Sequence, residues 1–87
     1  MKSIINQLKG IKSGHKEINL RMLKSCLNDV QDSLLNYKYD NEVDELKEMQ
    51  IYKIYKLMQR TDIFDLSIKE IESYIIKLIN ILEFIEL

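Results

Sequence analysis

The 87-residue chain has one cysteine, two glycines, and no proline, tryptophan or alanine. A lone thiol, Cys26, cannot form an internal disulfide, and no arginine-flanked apolar run with a small-residue cleavage site opens the chain. Both features point to a reducing, cytoplasmic setting. The longest unbroken apolar run is a few residues, far short of the roughly 20 needed to cross a bilayer, so no membrane-spanning segment is expected. The net charge of −1 excludes a strongly cationic, histone-like binder. No apolar-polar alternation flanked by turn residues marks a strand, and there is neither an internal repeat nor a low-complexity tail.

Isoleucine, lysine, asparagine and tyrosine are abundant instead. Their codons are A/T-rich, which suggests an A/T-rich genome. The length allows one domain, residues 1–87, with one core. A domain of this size buries a modest fraction of its surface, so a partner or self-association is expected. Charge is uneven: Met1 to Tyr39 carries seven Lys or Arg against three acids, and the remainder carries six against eleven.

Apolar spacing predicts four helices. A short one runs around Ser3 to Ile11, with Ile4, Ile5, Leu8 and Ile11 on one side. In the second, from about Lys16 to Asn36, Leu20, Leu23, Leu27, Val30, Leu34 and Tyr37 form a narrow stripe that Met22, Cys26 and Leu35 widen. YKYDN breaks this pattern, with Asp40 or Asn41 as N-cap of the third helix. There Val43, Leu46, Ile51, Ile54, Leu57 and Met58 fall within an arc of roughly 140°. The fourth opens on a capping box, Ser67 with Glu70, flanked by a Leu66–Ile71 staple. Ile68, Ile71, Ile75, Leu78, Leu82 and Ile85 then recur at heptad spacing. The expected fold is all-α, a small bundle of three long helices plus a short N-terminal one.

The stretch MQIYKIYKLMQR, Met49 to Arg60, interleaves rings and cations. On a helical wheel Tyr52 and Tyr55 take one shoulder and Lys53, Lys56 and Arg60 the other, with Tyr52 and Lys56 as the closest pair. Two readings stand. The cations and Tyr52 would suit phosphates and a stacked base, with Lys9, Lys12, Lys16, Arg21 and Lys24 as a second basic element. More simply, acids at Glu42, Asp44, Glu45 and Glu48 and cations in the last turns complement the helix macrodipole.

Other chemistry finds little support. His15 and Cys26 are too few for a metal site and lack a catalytic setting, and the acids from Asp40 to Glu45 lack the glycine and spacing of a calcium loop. No cofactor is expected. The C-terminal segment is more apolar than one bundle helix can bury, which points to a partner protein or a second copy. The expected partner-binding residues are Tyr52, Tyr55, Phe64, Ile76, Ile81, Phe84, Ile85 and Leu87.

Three residue groups also carry a family resemblance: Asp40-Asn41-Glu42-Val43, Lys53-Ile54-Tyr55-Lys56-Leu57 and Leu66-Ser67-Ile68-Lys69-Glu70. Through them the chain from Leu27 to Leu82 resembles the helical domain of subunits of the GINS replication complex, the assembly that binds the replicative helicase and polymerases. Leu20-Arg21-Met22-Leu23-Lys24-Ser25 is similar to the start of the GatB/YqeY-type helical domain linked with transfer-RNA amidation. Together these resemblances imply a non-enzymatic assembly module. The expected function is therefore a protein-interaction subunit or small regulator, with a nucleic-acid-binding accessory protein as the alternative.

Overall fold

The computed structural model describes residues 2–12, 14–62 and 65–85, and these residues form four helices and no strand: α1 (Lys2–Lys9), α2 (Lys16–Asp40), α3 (Glu45–Arg60) and α4 (Ile68–Ile85). The three-four spacing of α2 is realised with Leu20, Leu23, Leu27, Val30 and Leu34 buried and Tyr37 partly buried at its end. Ile71, Ile75, Leu78, Leu82 and Ile85 bring the matching stripe of α4 into the same core. Ile51, Ile54 and Met58 come from α3, and Ile4, Ile5 and Leu8 come from α1, with Ile11 just beyond it. α2 and α4 form the central pair. α1 packs on both of them, α3 packs on both of them, and α1 and α3 do not meet.

Three contacts fix the directions. The Tyr37 hydroxyl donates to the Ile85 carbonyl at 3.2 Å, so α2 and α4 end together. Lys24 Nζ donates to the Thr61 carbonyl at 2.9 Å, while Lys38 pairs with Glu48 at 2.6 Å. α3 therefore runs back along α2, and α4 runs forward again.

Local chemistry sets the helix ends. α2 continues through Asp40, one turn past its expected end. Asn41 is its C-cap rather than the N-cap of α3, because its side-chain amide donates to the Tyr37 carbonyl at 3.0 Å and satisfies a terminal acceptor. Asp44 caps α3 instead, its carboxylate accepting from the Leu46 amide at 2.9 Å. The segment Asp40 to Val43 is thus the end of one helix and a connector, and does not open a helix. α4 starts as its sequence predicts. The Ser67 amide donates to Glu70 Oε1 and the Glu70 amide donates to Ser67 Oγ, both at 3.2 Å. Ser67→Ala should lower stability by about 0.5–2 kcal/mol. In a urea titration followed by circular dichroism this would appear as a lower midpoint with an unchanged slope.

Burial is narrower than the sequence pattern suggests on two helices. Of the three residues expected to widen the α2 stripe, Cys26 is buried, whereas Met22 is 40% and Leu35 70% exposed. On α3, Leu46 and Leu57 lie outside the core. This helix touches only α2 and α4, so the arc it buries is centred on Ile51, Ile54 and Met58, and its edges stay in solvent.

Candidate functional site

At 100° per residue, the side of α3 opposite its buried stripe carries Glu45, Leu46, Met49, Tyr52, Lys53, Lys56, Leu57 and Arg60. Four of these are large apolar groups in solvent: Leu46 is 69% exposed, Met49 54%, Tyr52 51% and Leu57 42%. The ammonium of Lys56 sits 5.5 Å from the centre of the Tyr52 ring, one turn away, in cation–π geometry. Tyr52, Lys53, Lys56, Leu57 and Arg60 line a shallow depression on this face. A second groove lies between α2 and α3, with Leu34, Met49 and Tyr52 in its walls and Glu45 and Glu48 beside them.

The two tyrosines of the Met49–Arg60 stretch divide. Tyr55 is half-buried and packs on the core cluster, whereas Tyr52 faces outward. Rings and cations thus mix at one point only, Tyr52 with Lys56.

The N-terminal cations are partly gathered. Arg21, Lys24 and Arg60 line one groove between the start of α2 and the end of α3, together with Glu17 and Asp62. Two of the three are engaged there. Arg21 pairs with Glu17 at 3.3 Å, and Lys24 is held by the Thr61 carbonyl. Lys24 thereby helps close the C-terminus of α3, where the Thr61 hydroxyl also donates to the Leu57 carbonyl at 2.6 Å. Lys12 and Lys16 line neither this groove nor the depression on α3.

The expected partner-binding set on α4 needs correction. Ile81 and Ile85 are each 7% exposed and belong to the core, Ile85 as part of the inward heptad stripe of α4 and Ile81 on its flank one turn earlier. Ile76 and Phe84 are exposed at 58% and 67%, and the Lys47 ammonium lies 4.9 Å from the centre of the Phe84 ring. Phe64 and Leu87 lie outside the described residues. Among the described residues, the apolar groups of the C-terminal segment thus divide between the core, at Ile81, Leu82 and Ile85, and solvent, at Ile76 and Phe84, and the larger uncovered stripe is on α3. Leu46, Met49 and Leu57 were not among the expected contacts. Their signal was Met49, an apolar group on the side of the wheel opposite Ile51 and Met58.

Cys26 is buried, its thiol 3.9 Å from Gln7 Oε1. Burial pushes the thiol pKa above its ordinary range, and the Asp29 carboxylate adds to the rise. The unfolded chain then loses this proton first as pH rises, so the contribution to stability is intact below the ordinary thiol value of about 8.5 and is lost above it. Urea midpoints measured across that window should fall for the native chain, and Cys26→Val should remove this part of the decline. A thiol held protonated is a poor nucleophile.

Among the described residues, no group of three or more His, Cys, Asp or Glu side chains is placed to hold a metal ion. No helix among them is long and apolar enough to cross a membrane. The chain matches no family model, no curated protein and no solved structure. The exposed face of α3 is accordingly the feature on which a functional reading can rest.

Proposed function

We propose that this chain is a non-enzymatic helical module that binds a partner protein through the outer face of α3, as an assembly subunit or small regulator. One observation carries this reading. Leu46, Met49, Tyr52 and Leu57 stand in solvent along a single helix whose buried side already supplies Ile51, Ile54 and Met58. Exposed apolar groups interleaved with cations along one helix suit a protein interface, and a helix face is a common recognition element. Tyr52 is the central anchor, a rigid ring with a polar tip and Lys56 beside it. Ile76 and Phe84 are further exposed apolar groups, on α4.

The test is capture of partners from the native host, with mass measurement of the complex, using the native chain and Met49→Asp and Tyr52→Ala variants. Circular dichroism would establish that both variants fold. A complex lost with either variant supports the reading, and a complex indifferent to both removes it.

The gathering of Arg21, Lys24 and Arg60 at one groove favours a second reading, a nucleic-acid accessory role. Three phosphate contacts would lower affinity about 40-fold between roughly 50 and 200 mM salt, whereas an apolar protein interface would change little.

A further inference from the structure

We infer that the occupant of the α3 face is an acidic, amphipathic helical segment of another protein, seated on the C-terminal half of that helix. This rests on the interaction-module reading and gives the partner its chemistry. Tyr52, Lys56 and Arg60 step by four along one ridge of α3, and Lys53 and Leu57 stand on the next. Together they line the shallow depression, which holds a ring, an aliphatic side chain and three cations, and no acid. Among the described residues, no ion pair within the chain engages Lys53, Lys56 or Arg60. The acids of α3 itself, Glu45 and Glu48, lie in its first turn, and Glu48 is already taken by Lys38.

This half of the face therefore asks for carboxylates around an apolar group. Lys53, Lys56 and Arg60 span about 10 Å, two turns of helix. A partner helix with acids at three- or four-residue spacing matches that span, and an apolar side chain between them enters the groove between the two ridges. A neutral partner would strip water from the cations without replacing it. Other occupants meet specific obstacles. At 100° per residue the three cations fall between Tyr52 and Leu57 around the helix, whereas a helix lying on a membrane keeps its cations opposite a continuous apolar face. A nucleic-acid backbone would leave Met49 and Leu57 without apolar cover, and the Tyr52 ring it would stack on already carries Lys56.

Ion pairs at the rim make part of this affinity salt-dependent, so the chemistry of the contacted segment has to be read directly. The full chain carrying the photocrosslinker p-benzoylphenylalanine in place of Leu57, or separately of Met49, is folded as judged by circular dichroism, exposed to extract of the native host and irradiated. Mass spectrometry of the linked peptide should find a segment of another protein with three or more Asp or Glu within two helical turns of an aliphatic or aromatic residue. In the purified complex, Lys53→Glu, Lys56→Glu and Arg60→Glu together should raise Kd about tenfold or more. Replacing the acids of the captured segment by lysine should restore binding to this triple variant, a rescue that a merely structural role for the cations would not produce.

A linked segment that is neutral or basic overturns the proposal, as does a link to nucleic acid, to lipid or to a second copy of the chain. So does a Kd indifferent to the triple reversal, or a charge exchange that restores nothing. If the linked protein is not acidic but its capture still depends on Tyr52, the partner chemistry is wrong and the interaction module stands. If a complex forms without a link at either position, or nothing is captured, both fall.

Discussion

Leu23→Ala is expected to lower the stability of the folded chain by about 2–5 kcal/mol, because truncating a fully enclosed leucine loses transfer energy and leaves a cavity. Leu23 is 0% exposed at the centre of the α2 stripe, with the core groups of α4 packed into the same cluster. Small domains are held by about 5–15 kcal/mol at most, so this one change would remove a large share of the total. Leu35→Ala, on the same helix but at a position 70% exposed, should alter stability by no more than about 0.5 kcal/mol. Paired urea titrations of these two variants measure the contrast directly. Equal effects would show that α2 does not bury the side assigned to it.

Deletion of residues 1–12 should be more damaging, costing about 5 kcal/mol or more and ending cooperative unfolding. α1 is short and could not hold its shape in isolation, since helices under about 12 residues are marginal in water. Yet Ile4, Ile5, Leu8 and Ile11 are all buried, and α1 covers both members of the central pair. Its removal uncovers apolar surface on α2 and α4 together. The truncated chain should therefore keep much of its far-ultraviolet dichroism, bind a hydrophobic dye and melt without a sharp transition. A peptide of residues 1–12 should show almost no helix alone. A truncated chain with a sharp melt near the native temperature would contradict this account of the core.

The stripe of α2, the apolar side of α1 and the capping box of α4 are visible in the sequence because each depends on neighbours within a few positions. Leu20 to Leu34 announce a buried face by spacing alone, and Ser67 with Glu70 announces a helix start by reach alone. Boundaries chosen by competing local partners were harder to read. Asn41 and Asp44 both carry capping side chains, and the competition was settled by the Tyr37 carbonyl, which required a donor at the end of α2.

The candidate site was less legible, for a tertiary reason. Periodicity shows that α3 has apolar groups in excess, but how wide a face it buries depends on how many helices reach it. α3 meets two and not three, so Leu46 and Leu57 were counted inward and lie outward. On α4 the difference runs the other way, because Ile85 lies in the enclosed stripe and Ile81 beside it. Lys24 reads from sequence as a free cation, and only the fold places it against the Thr61 carbonyl.

The contact between α1 and α4 joins the earliest helix to the last one. During synthesis, α1 leaves the ribosome about 70 residues before the final turns of α4, an interval of roughly 4–14 s at ordinary elongation rates. Through that time Ile4, Ile5 and Leu8 have only α2 to lie against. The α1 side chains are consequently covered from both sides only once α4 has been made.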